Sequence, residues 1–189
     1  MTILQVFHIS PLIRLTLLLL YAALTVPLPR LAQVTAAPFS PLTMGVALGI
    51  GGIFLYAILT EQVVVSEEGL AVTYPQWVNW ALRRGWFLRW DQVKSLKPRW
   101  TGQGGIVYYL VSHPVRHAEQ TESDSPAAYL LPMRIAGFAQ LLRWVEEKTG
   151  IDTRTVTPLA QPWMYFILLG CTLILLTIDF WILWTLPEL

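Results

Sequence analysis

Charged residues are absent from two long stretches of this sequence, Leu31 to Thr60 and Thr155 to Ile178, and crowd into the block between them. A third apolar run, Leu15 to Pro29, is bracketed by Arg14 and Arg30 and contains the leucines Leu17 to Leu20. A bilayer hydrocarbon core of about 30 Å takes about 20 mainly apolar residues in a helix. The two long stretches reach that length and predict helices over about 40–60 and 162–185. The first run reaches it only if Leu12 and Ile13 are counted and Arg14 extends its stem to the interface, giving a helix over about 12–28. A secretory signal peptide is the competing reading of that run. Its cleavage site would need small residues near Ala32 to Ala37, with Pro27 and Pro29 in the way, so a retained transmembrane helix is preferred. Pro27, Pro29, Pro38 and Pro41 make the connection to the second helix a tight turn outside the membrane.

Between Glu61 and Asp152 the pattern changes to short β-branched runs. Gln62 to Ser66 and Leu70 to Tyr74 flank Glu67, Glu68 and Gly69, which predicts a hairpin. Further strands are predicted at Gly85 to Leu88, Val93 to Arg99, Ile106 to His113 and Ala127 to Leu131, with Thr101 to Gly105 as a turn. In Ala136 to Thr149 the residues Phe138, Leu141, Leu142 and Val145 recur at three- and four-residue spacings and predict one buried helix face. Gly150 stands where a left-handed terminating residue belongs, and Lys148 sits beside the carbonyl end. The stretch His113 to Ser125 has no apolar period and reads as an exposed loop. The chain thus divides into a transmembrane hairpin over 1–60, an α+β domain over 61–152, and a linker with a third transmembrane helix over 153–189.

Composition agrees with this division. The chain has 189 residues, 54% hydrophobic and only 13% charged, with a mean hydropathy of +0.51, against about 25% charged in soluble domains. Of 13 Lys and Arg, 11 lie between Arg83 and Arg154, which places the block on the cytoplasmic side, the N-terminus inside and Pro187 to Leu189 outside. A net charge of +1 gives no case for a nucleic acid partner, and Cys171 alone can form no disulfide within the chain. In the third helix, Trp163, Tyr165 and Phe166 mark one membrane interface and Phe180, Trp181 and Trp184 the other. Asp179 then falls at the far interface, read as a solvated edge in preference to an intramembrane functional carboxylate.

The opening VVVSEEGL at Val63 to Leu70, the WDQV step at Trp90 to Val93 and the closing helix through Lys148 to Asp152 resemble bacterial pleckstrin-homology-like domains attached to membrane helices. That resemblance implies a seven-stranded half-barrel with one C-terminal helix. The stretches YPQWVNW, TGQGGIVYYLVS, LLPMRIAGFAQLL and PLAQPWMYFILLG are similar to uncharacterised membrane proteins of cyanobacteria, implying a thylakoid or plasma membrane location. The layout also resembles the two-helix photosystem I assembly factor family, to which this chain adds a third helix after the domain.

Few residues suggest chemistry. His113 and His117 lack the further ligands that zinc requires, so no metal or cofactor is expected. Gly102, Gly104 and Gly105 are not followed by the lysine and helix of a phosphate loop, and Ser112 beside His113 forms no nucleophile elbow. The carboxylate pairs Glu67, Glu68 and Glu146, Glu147 read as solvated charge. The strongest signal is a basic and aromatic strip between Trp77 and Trp100 that also includes Trp86 and Trp90. Its candidate contact residues are Trp77, Trp80, Arg83, Arg84, Arg89, Lys94, Lys97 and Arg99, with the first four placed at a hairpin tip. Structural aromatics filling a β core, with cations simply facing the membrane, explain the same enrichment equally well. Gly45 and Gly49 form a GxxxG pair whose small face Gly51 and Gly52 extend, and Gly45, Gly49 and Gly52 are candidates for close helix packing, within the chain in preference to between chains. The expected function is a non-catalytic, membrane-anchored accessory or assembly factor for a photosynthetic complex. Its expected partners are complex subunits, and the alternative is an anionic-lipid-binding or membrane-organising module.

Overall fold

The computed structural model describes residues 2–35, 38–81, 85–100, 106–113, 127–156 and 162–185. The elements begin with β1 (Ile3–His8), α1 (Pro11–Thr25), α2 (Leu28–Val34), α3 (Pro41–Ile58), β2 (Gln62–Ser66), β3 (Gly69–Thr73) and α4 (Gln76–Ala81). They continue with β4 (Trp86–Arg89), β5 (Val93–Trp100), β6 (Ile106–Ser112), β7 (Ala128–Leu130), α5 (Phe138–Thr149) and α6 (Pro162–Thr185). These form two compact units, one of Met1–Ile9 with Glu61–Ala160, the other of Ser10–Thr60 with Gln161–Leu189. The β unit therefore starts upstream of the helical hairpin, whereas hydropathy alone assigns residues 1–60 to the hairpin. The alternation Gln5, Phe7, Ile9 is too short and too close to the leucine run to stand out, yet it pairs as a strand.

The β unit consists of two antiparallel sheets, in the orders β1-β2-β3-β4 and β5-β6-β7. In the first, Phe7 lies opposite Val63, Val63 opposite Val72, and Val72 opposite Trp86. The parallel row Gln5, Val65, Leu70 and Leu88 shares that face. All of these except the part-buried Gln5 and Trp86 are buried. Strand side chains alternate between faces, so both rows point into one core. Helix α5 adds buried Phe138, Leu141, Leu142 and Val145 to the unit's hydrophobic core, as its spacing predicts. It ends at Gly150, whose φ of 70° is the left-handed conformation that glycine adopts without a Cβ penalty.

Side chains and a corner hold the two sheets and α5 together. The three-residue 3-10 turn at Trp90–Gln92 carries the chain from β4 into β5. The buried Trp90 donates its indole N–H to the Ser66 carbonyl at 2.9 Å, and the His113 amide donates to Gln92 at 2.8 Å. Across the sheets, the rings of Trp86 on β4 and Tyr129 on β7 lie 5.1 Å apart. Strand β1 is fixed from a second direction. The Trp144 indole of α5 donates to the Gln5 side chain at 3.0 Å, and Ala136 N–H donates to the His8 carbonyl at 2.8 Å.

In the helical unit, three stretches are long and apolar enough to cross a membrane: Pro11–Val34, Pro41–Ile58 and Trp163–Thr185. The first comprises two helices. Val26 and Pro27 keep right-handed helical dihedrals between α1 and α2, so the first part of the segment expected as an extramembrane turn, as far as Val34, is helical. Helix α6 packs along α1, and α2 packs along α3. Between α1 and α3, the Tyr21 hydroxyl donates to the Leu48 carbonyl at 2.5 Å. A Cβ on Gly51 would stand 2.6 Å from the Tyr21 oxygen and one on Gly52 3.3 Å from its ring, so these glycines make room for the tyrosine.

Two stability effects follow. Phe7→Ala removes a buried side chain far in sequence from the rest of its core. It should destabilise the full chain in detergent by about 3–5 kcal/mol, measured by thermal unfolding with protease resistance as readout; a change within about 0.5 kcal/mol would mean that β1 is not part of the core. Gly51→Ile should overpack the Tyr21 contact at a cost of about 1–3 kcal/mol, partly recovered when Tyr21→Ala is added. Indifference to Gly51→Ile would remove the close approach of α1 and α3.

Candidate functional site

The basic and aromatic strip, continuous in sequence, is divided by the fold among several places. Its first part lies in the connection between the antiparallel partners β3 and β4, the hairpin end expected of it, and part of that connection is helical. Gln76–Ala81 forms α4, started by Pro75, whose carbonyl accepts from the amides of Val78 and Asn79. Val78 is buried, and Trp77 is exposed on the same short helix. The side chain of Trp80, and Arg83 and Arg84 entirely, lie outside the described residues. Trp86 and Trp90 are structural, one against Tyr129 and the other bonded to Ser66.

Arg89 is not a free cation. Its guanidinium donates twice to the Asp91 carboxylate, at 3.1 and 2.9 Å, with both side chains solvent-exposed. Such a pair stabilises by no more than about 1 kcal/mol, but it cancels the charge of Arg89 locally. The pair lines a cleft of about 380 Å³ with Glu67, Glu68 and Trp90, where carboxylates outnumber cations. Lys94, Lys97 and Arg99 remain, all exposed on β5, followed by Trp100 at 72% exposure.

A second surface was not visible in the sequence. On the outward face of the first sheet, Val6 lies opposite Val64, Val64 opposite Ala71, and Ala71 opposite Phe87. Val6 and Phe87 at the ends of this row are 39% and 41% exposed, and Leu4 stands exposed near Val6. An antiparallel sheet with one solvated face carries polar residues outward, so a row of Val, Val, Ala and Phe departs from that rule. The signal required knowing that β1 joins the sheet, since Val6 and Phe87 are far apart in the chain.

The helical unit resolves the other candidates. Of the glycines expected to pack, Gly51 and Gly52 meet Tyr21. Gly45 and Gly49 have no neighbour that a Cβ would meet within 4 Å. They instead line an apolar groove of about 320 Å³ between α1 and α3, with Tyr21 and Leu48. On α6, the buried Tyr165 and Thr172 and the half-buried Asp179 recur at seven-residue spacing and share one stripe. Asp179 is therefore not on the solvated edge expected of it. Its Oδ2 is closed off from solvent and has no hydrogen-bond partner among the described residues.

Among the described residues no three of His, Cys, Asp and Glu are grouped to hold a metal ion. His113 is exposed at the end of β6, and His117 lies outside the described residues. The arrangement offers surfaces of distinct character: an apolar row with exposed ends on one sheet and, on the other, a basic edge with no ion pair among the described residues.

The sequence is 51% identical over 173 residues to the protein named "Uncharacterized protein slr0269" of Synechocystis sp., an alignment covering 90% of this chain and 81% of that relative. No family model matches the sequence. No solved structure matches it either. With half of its residues identical across nine-tenths of its length, the chain belongs to the same protein family as slr0269 of this cyanobacterium.

Proposed function

We propose that this protein is a non-catalytic accessory or assembly factor for a membrane protein complex, anchored by three transmembrane helices in the thylakoid or plasma membrane of a cyanobacterium. The observation that carries the reading is the outward apolar row Val6, Val64, Ala71 and Phe87. Val6 and Phe87 at its ends are exposed, while Val64 is part-buried and Ala71 buried between them, and exposed apolar side chains on a sheet face are candidate protein contacts. It lies on a sheet whose first strand is wired directly to the anchor, which suits a module that meets its partners at the membrane.

The PH-like reading of the β unit belongs to this proposal. A sheet of four strands, a sheet of three and a helix after them support that reading, with three helices placed between β1 and β2 and one between β3 and β4. In this reading the domain faces the cytoplasm, because 11 of the 13 basic residues lie between Arg83 and Arg154. The photosynthetic complexes are the proposed clients, on the strength of the cyanobacterial relative.

Tagged full-length protein isolated in mild detergent from cyanobacterial membranes should carry photosynthetic subunits with it. Val6→Glu or Phe87→Glu should weaken that association at least about tenfold, as expected for an interface centre, while the variant stays in the membrane at normal abundance. Isolation as a lone species under several mild detergents and light regimes would overturn the proposal.

A further inference from the structure

Strand β5 is an edge of its sheet, paired only to β6 within the order β5-β6-β7. It carries Lys94, Lys97 and Arg99, all exposed. Lys97 and Arg99 are two residues apart and stand on one face, opposite Tyr109 and Val107. No acidic residue occurs in Val93–Trp100 or Ile106–Ser112. The contrast with Arg89 is direct, since that guanidinium is matched by Asp91 and faces Glu67 and Glu68. The strand ends in Trp100, with its indole 72% exposed. An exposed indole beside cations that have no acidic partner among the described residues has the composition of a membrane-interface contact, because tryptophan settles at headgroup depth and cations attract anionic lipid.

A protein strand is a poor occupant of this edge. Pro98 removes a backbone donor, and Lys94, Lys97 and Arg99 place charge along the same strand; lysine and proline are what edge strands use to resist pairing. A planar anionic surface needs no such pairing. The domain is also tethered closely to its anchor. Only Ile9 and Ser10 separate β1 from α1, and only Leu59, Thr60 and Glu61 separate α3 from β2. Fully extended, connections of that length span about 15 Å at most, which limits how far the domain can move from the bilayer.

We propose that the β5 edge, through Lys94, Lys97, Arg99 and Trp100, is a docking surface for the anionic headgroups of the bilayer in which the protein is anchored. The contact is separate from the apolar row on the other sheet, and it stands or falls independently of the partner complex. Each exposed cation contributes about fivefold to association with an anionic surface, so neutralising all three weakens the contact about a hundredfold. Salt acts in the same direction by shortening the screening length from about 10 Å at 0.1 M to about 3 Å at 1 M.

The test uses the full chain carrying Cys171→Ser and a spin label on Val107→Cys, the residue opposite Arg99. It is reconstituted into vesicles of phosphatidylcholine alone or phosphatidylcholine with phosphatidylglycerol, and collisions with a water-soluble nickel chelate and with membrane-dissolved oxygen are measured. The expected result is shielding from nickel in the phosphatidylglycerol vesicles only, lost at high salt and lost when Lys94→Gln, Lys97→Gln and Arg99→Gln are combined. Thermal unfolding of the triple variant should match the parent, since the three side chains are exposed. Equal accessibility in the two lipids would overturn the proposal. So would shielding that survives the triple substitution, or shielding that occurs in native membranes and never in vesicles of lipid alone, which would assign the edge to a protein.

Discussion

The antiparallel ladder between β1 and β2 is the interaction on which this architecture depends. Its partners run from Ile3 with Ser66 to His8 with Gln62, and the sequence between those two strands carries α1, α2 and α3. The helices α1, α2 and α3 are thus an insertion within a sheet, and the ladder fixes both ends of the insertion one strand apart. Loop-closure cost rises only slowly with length, so a long insertion is tolerated provided that its ends are held by a strong contact. Here the hold is the buried row Phe7, Val63 and Val72 together with the Trp144 to Gln5 bond from α5. The same strand supplies Val6 to the outward apolar row, so the contact that closes the domain also completes its proposed binding face.

That arrangement has a consequence for how the chain reaches its folded state. Residues 3–8 are made before α1, α2 and α3 and have no partner until β2 follows them. The pairing is therefore non-local, and the first sheet can close only once the segment between has been made. A domain with a separate linker to its anchor could fold without regard to the membrane.

Much of this was legible in the sequence, and the exceptions have physical causes. Uninterrupted apolar runs show α3 and α6 because a bilayer demands length, and the spacing of Phe138, Leu141, Leu142 and Val145 shows α5 because one face must be buried. Strand β1 was hidden because its six residues adjoin a leucine run and resemble it in hydropathy. The helix α2 was hidden because Pro27 and Pro29 signal a turn, whereas proline at the start of a helix is compatible with continuing it. The contact strip is continuous in sequence but not in the fold. Proximity in sequence places Arg89 beside Lys94, but the corner at Trp90–Gln92 puts them on different sheets and gives Arg89 to Asp91. The row Val6, Val64, Ala71 and Phe87 could not be read at all, since it exists only once four strands are in register.

The most direct test of the insertion is a cross-strand cysteine pair. Val6 and Val64 lie opposite each other on β1 and β2, and opposed residues on neighbouring strands have the Cα separation that a disulfide requires. In the full-length chain with Cys171→Ser, Val6→Cys and Val64→Cys should form an intramolecular disulfide on mild oxidation, seen by mass spectrometry of peptides joined across the hairpin. Val6→Cys combined with a cysteine at Phe87, at the far end of the row, should not. Failure of the first pair to cross-link in folded protein, or equal cross-linking of both, would contradict a sheet built around the helical hairpin.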